Sequence, residues 1–99
     1  MSACCVYILY SESLDKYYVG STEDLDQRIH IHNHPNESRK FTAKGLPWIL
    51  KCRIDCFTKE MAFSLERRIK SMKSRKFIER LLQDDTFRQD FILSFSPDC

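Results

Sequence analysis

Hydrophobic and polar positions divide the chain into short strand-like runs near the N-terminus and helix-like runs beyond the middle. From Cys4 to Tyr10 every residue is apolar or aromatic, and Val6, Ile8 and Tyr10 alternate with Tyr7 and Leu9, which predicts a half-buried strand. The polar stretch Ser11–Lys16 turns the chain. Tyr17-Tyr18-Val19 resumes the strand pattern and Gly20 ends it, so a β-hairpin is expected. Ser21-Thr22-Glu23-Asp24 is a helix start, with a hydroxyl to cap free amides and acidic residues in the first turn. Leu25 and Ile29 give that helix its buried stripe, and it should stop before Pro35. Residues 33–47 read as a loop anchored by Phe41. Trp48–Phe57 reads as a third strand, with Ile49 on one face and Leu50, Cys52 and Ile54 on the other.

Thr58 opens a second helix whose core stripe is Met61, Leu65, Ile69 and Met72. Ser74 caps a third, with Phe77, Ile78, Leu81 and Leu82 turned inward. Phe87, Phe91, Ile92 and Phe95 make the tail apolar; it either packs back on the domain or serves a protein partner or a homodimer. The order β-β-α-β-α-α predicts an α+β fold, a small three-stranded and mainly antiparallel sheet flanked by helices. A chain of 99 residues suits a single domain over 1–99, with its core at about 4–80 and a helical tail at about 81–95.

Composition narrows the class. The chain is 42% hydrophobic and 30% charged, as in soluble globular proteins. No apolar run approaches the ~20 residues of a membrane span, and Met1-Ser2-Ala3 leads straight into strand-like sequence without a signal region. A cytoplasmic protein with no membrane association is expected. The five cysteines lack paired spacing and read as reduced, mostly buried thiols. Cys52-x3-Cys56 has no second pair to complete a zinc site, and His30 with His34 offers only two ligands on one helix face. The net charge of +2 hides an asymmetry: residues 36–80 hold 13 Lys/Arg against 5 Asp/Glu, whereas both ends are acidic. A basic middle is either a phosphate-binding footprint or a solvated face.

The hairpin also places Tyr7 and Tyr18 where facing strands could bring their hydroxyls together. Such a pair can do no more than stabilise a sheet, by about 0.2–1 kcal/mol. Arg28 and His32 follow four residues apart, and Glu66 lies in the second helix. Taken in order, Cys5-Val6-Tyr7, Tyr18-Val19-Gly20, Arg28-x3-His32 and a helical Glu66 resemble the GIY-YIG nuclease family over about residues 4–80. They most resemble its small stand-alone members, which are similar to the N-terminal nuclease domain of the UvrC excision-repair subunit.

The resemblance implies a metal-dependent endonuclease hydrolysing phosphodiester bonds of nucleic acid, DNA by preference, in repair- or recombination-type processing. Tyr7 would be the general base, Tyr18 would orient the phosphate or water, and Arg28 would bind the scissile phosphate. His32 would hydrogen-bond a tyrosine or relay its proton, and Gly20 would allow close backbone approach. Glu66 would hold one Mg2+ or Mn2+, since such an ion accepts a single carboxylate and keeps its waters. Arg39, Lys40, Lys44, Lys70 and Lys73 would contact backbone phosphates. Plainer readings stand beside these: Glu66 pairs with Lys70 along the helix for about 0.3–0.5 kcal/mol, and Arg28 is a surface arginine near Asp24. The sequence departs from the family pattern at Cys5, Val6 and Val19, and it has no asparagine after Glu66. That absence supports the rival expectation, a non-catalytic nucleic-acid-binding or interaction module on the same scaffold.

Overall fold

The computed structural model describes residues 4–34 and 46–94. Strand β1 (Cys4–Ser11) and strand β2 (Lys16–Thr22) form the expected hairpin, followed by helix α1 (Leu25–His32) and strand β3 (Trp48–Cys56). Helices α2 (Lys59–Ser71), α3 (Arg75–Gln83) and α4 (Asp85–Leu93) complete the chain, in an α+β arrangement with a three-stranded antiparallel sheet of order β2-β1-β3.

The first strand is therefore central, and it is buried on both faces rather than half-buried: Cys5, Val6, Tyr7, Ile8 and Leu9 are all inaccessible. Its continuous apolar run, with no polar residue between Cys4 and Tyr10, is the pattern a doubly covered strand requires. Val6 and Ile8 pack with Ala62, Leu65 and Ile69 of α2 and Leu81 of α3. Cys5, Tyr7 and Leu9 pack on the other face with Leu25 and Trp48.

Strand β3 serves both layers because its register slips once. Ile8 faces Cys52 but Leu9 faces Leu50, which leaves Lys51 as the extra residue of a bulge. Since side chains alternate strictly along a strand, one extra residue exchanges the faces. Ile54 and Cys56 thus join the α2 layer, whereas Trp48 joins Tyr7 and Leu9 on the opposite side. The alternation expected for Leu50, Cys52 and Ile54 on one face breaks at this bulge, and Leu50 is exposed.

Thr58 and Ser74 cap α2 and α3 as expected, accepting from the amides of Met61 and Phe77, each at 3.1 Å. At α1 the cap is the Asp24 carboxylate, which accepts from Gln27 N at 3.1 Å. Thr22 instead uses its hydroxyl oxygen to accept from Asp24 N at 3.0 Å. The inward stripe of α2 is Ala62, Leu65 and Ile69; Met72 lies past the last helical residue and is exposed. The apolar tail becomes α4, begun by Asp84, and Phe87 and Phe91 meet Phe77 edge-on at 5.7 and 5.3 Å. Phe95, like Phe41, lies outside the described residues.

The hairpin tip is tied to α3 by Arg75, which donates from Nη2 to Asp15 Oδ1 at 2.6 Å and from Nη1 to the Asp15 carbonyl at 2.8 Å. Cys4, Cys5, Cys52 and Cys56 are free thiols. Burial pushes the thiols of Cys5, Cys52 and Cys56 up, which keeps them protonated and unreactive. No helix of the described residues is long and apolar enough to cross a membrane.

Leu65 and Met72 were alike in the sequence pattern and differ in the fold. Leu65→Ala should cost about 2–5 kcal/mol through the cavity it leaves, and Met72→Ala no more than about 0.5 kcal/mol, as read from urea unfolding midpoints.

Candidate active site

Tyr7 and Gly20 are direct partners in the β1–β2 register. With no side chain at Gly20, the Tyr7 ring lies across the neighbouring strand: a Cβ at position 20 would stand 2.5 Å from the Tyr7 hydroxyl and 2.6 Å from Cζ. This glycine is required for space and not for backbone conformation, because its φ is not positive. Tyr18, two residues back on the same face, stacks on Tyr7 with centroids 6.3 Å apart. The two rings are diagonal neighbours, since Tyr18 itself pairs with Leu9.

His32 is brought over both rings by the last turn of α1. Its Nε2 lies 3.2 Å from the Tyr7 hydroxyl, and its ring meets Tyr18 edge-on at 4.6 Å. His32 is 5% exposed, so Tyr7 and His32 form a buried polar contact. Trp48 closes this floor against Tyr18 at 6.0 Å. It is held there by Asn33, whose Nδ2 donates to the Trp48 carbonyl at 3.0 Å and whose Oδ1 accepts from the Trp48 amide at 2.6 Å. The asparagine side chain thereby copies a strand's hydrogen-bonding edge.

Glu66 approaches from the opposite layer. Its Oε1 accepts from the Ser21 hydroxyl at 2.5 Å, and its Oε2 accepts from Lys70 Nζ at 2.6 Å, with the carboxylate side chain 18% exposed. The helix pair expected from spacing is thus present, together with a strand contact that spacing did not reveal. Ser21 also lines a cleft of about 380 Å³ between α1 and α2, into which Arg28 projects from the α1 side. Among the described residues, the Arg28 guanidinium forms none of the seven ion pairs. The candidate residues therefore wrap the outer edge of β2: tyrosines and histidine on one face, the carboxylate on the other, and the arginine at the cleft beside them.

Residues 3–79 match the GIY-YIG catalytic domain. The chain belongs to the GIY-YIG family. It is also 33% identical over 79 residues to an uncharacterized protein of Acanthamoeba polyphaga mimivirus. That match covers 77% of this chain and 48% of the viral protein, so the chain spans about half the length of that relative. No solved structure matches. GIY-YIG proteins are a nuclease family, and they typically use divalent metals.

The donor chemistry at Glu66 fits such an ion. A partly buried carboxylate steadied by a hydroxyl supplies hard oxygen, and Mg2+ accepts one or two protein carboxylates with water filling the rest. Among the described residues no group of three or more His, Cys, Asp or Glu side chains could hold a metal. His30 and His34 stack with centroids 3.6 Å apart instead of converging on a point. Arg39, Lys40 and Lys44 lie outside the described residues, whereas Lys70 in the last turn of α2 and Lys73 just beyond it are exposed. Sequence reasoning missed Ser21, Asn33 and Trp48. Strand parity could have placed Ser21 toward α2, but the bulge hid Trp48.

Burial is the main cause that holds the Tyr7 phenol well above the ordinary tyrosine range; Tyr18 and Glu66 add to it and Arg28 opposes it. An unfolded tyrosine ionises near pH 10, where folded Tyr7 keeps its proton. The unfolded chain then binds fewer protons, so this contribution is intact below about pH 10 and lost as the pH rises further. Across about pH 9 to 11, Tyr7→Phe should lose less stability than the parent in urea unfolding; parallel losses would refute a protonated, buried phenol. Gly20→Ala should displace the Tyr7 ring and cost about 1–3 kcal/mol through overpacking, read by the same unfolding assay.

Proposed function

We propose that this GIY-YIG protein is a metal-dependent endonuclease, and that DNA in repair- or recombination-type processing is its substrate. The observation that carries the proposal is the Tyr7–His32 contact at 3.2 Å, packed over Gly20 and within electrostatic reach of both Arg28 and Glu66. DNA is favoured over RNA by the sequence resemblance to the UvrC nuclease domain.

Hydrolysis needs a proton removed from the attacking water and charge absorbed on the phosphoryl oxygens. A free Tyr7 phenolate is disfavoured by its burial. The geometry supports a relay: Tyr7 takes the water proton while passing its own to His32 Nε2, in the tautomer that leaves this nitrogen unprotonated. Tyr18 restricts the approach of water and phosphate by stacking beside Tyr7. Arg28 presents a planar fork of donors to the scissile phosphate and spreads the developing negative charge. Ser21 orients the Glu66 carboxylate. A divalent ion held by Glu66 would supply neutralising charge to the leaving oxygen. Lys70 and Lys73 would follow the backbone phosphates, with affinity that falls steeply as salt rises.

The non-catalytic module is favoured by one observation: both Glu66 oxygens already have partners, and no asparagine follows in the sequence. Both readings are separated by a panel of labelled single strands, duplexes, flaps and four-way junctions in DNA and RNA, incubated with Mg2+ or Mn2+ and with EDTA. The enzyme should cut DNA in a metal-dependent manner, and Arg28→Ala or Glu66→Ala should each lower the rate at least about 10²-fold while the circular-dichroism spectrum stays unchanged. Salt-sensitive binding without cutting, indifferent to Glu66→Ala, would establish the module instead.

A further inference from the structure

Lys70 occupies the place at Glu66 that a bound cation would claim. Its ammonium lies 2.6 Å from Oε2, while Ser21 holds Oε1 at 2.5 Å. The two ends of this ion pair differ in freedom. The carboxylate side chain is 18% exposed, whereas that of Lys70 is 52% exposed and can swing into water. From this same position Nζ stands 6.0 Å from the centroid of the Tyr18 ring, so a short swing would carry it over that face. There Lys70, Tyr18, Lys73 and Ser74 line a groove of about 230 Å³ along the β2 edge.

We propose that Lys70 is the resident counter-cation of Glu66, displaced when a divalent ion binds, and that it sets the ion's affinity by competition. The proposal rests on the reading of Glu66 as the ion's ligand. A partly buried carboxylate is costly to leave without a partner, so the ammonium pairs with Glu66 and holds it aimed while no divalent ion is present. The divalent ion must break a charge-assisted hydrogen bond to enter, which weakens its apparent binding. The released ammonium moves to the Tyr18 side of the groove, where a backbone phosphate can take it. Phosphate binding to Lys70 and ion binding to Glu66 then favour one another by linkage.

The test is Mn2+ binding by the full chain, followed through the electron paramagnetic resonance signal of free Mn2+, with no nucleic acid present. Parent, Lys70→Met, Lys73→Met and Glu66→Gln are compared after thermal melts show that each is folded. Lys73→Met removes the same charge nearby and controls for the general field. Lys70→Met should bind Mn2+ roughly two- to fivefold more tightly than Lys73→Met, as loss of a partly exposed ion pair implies, and Glu66→Gln should lose the site. Equal affinities for Lys70→Met and Lys73→Met, or weaker binding by Lys70→Met, would overturn the inference and leave the nuclease reading intact. Absence of Glu66-dependent binding in both parent and Lys70→Met would overturn the metal assignment and the inference together.

Discussion

A strand paired on both edges and covered on both faces hides nearly all of its side-chain surface, and every residue from Cys5 to Leu9 is at most 1% exposed. Each face of β1 must then be matched by its own layer. Val6 and Ile8 need α2 and α3, while Tyr7 and Leu9 need α1 and Trp48. The helices that carry Glu66 and His32 are thus drawn to opposite sides of one strand by the burial of that strand's alternating side chains. Roughly 25 cal/mol for each Å² of apolar surface removed from water drives this arrangement, and the candidate site takes its geometry from it.

The site inherits a division between its parts. Phenol and imidazole sit in the drier layer, where a proton can be handed between neutral groups. Carboxylate, lysine and arginine sit toward the β2 edge and the cleft, where charge is solvated enough to be tolerated. Only the edge strand, with Gly20 at its narrowest point, separates the two. A hydrolytic site needs both environments, a proton path shielded from water and an anion-binding surface open to a polyanion. In this fold the two faces of one sheet carry a buried tyrosine–histidine cluster and a more exposed charged edge.

The fold was largely legible in the sequence because its signals are local. Strand runs, a polar turn and the helix caps at Thr58 and Ser74 each depend on a few adjacent residues. What was illegible depends on pairing between distant ones. The two-sided burial of β1 follows from its central position, which no residue within β1 announces. The Lys51 bulge moves Trp48 to the site's face and leaves no mark in composition. Met72 fits the helical period yet falls beyond the helix end. The site was legible as residue types in order, through Tyr7, Tyr18, Arg28, His32 and Glu66. Its supports were not, because Ser21 and Asn33 are ordinary polar residues until the fold gives them Glu66 and Trp48 as partners.

The paired hydrogen bonds between Asn33 and Trp48 join positions 15 residues apart. They fasten the end of α1 directly to the start of β3. Loop closure costs grow only with the logarithm of length, so residues added between these two points would barely tax the fold. The clamp thus fixes two anchor points beside the tyrosine–histidine cluster, between which a change of chain length costs little closure entropy.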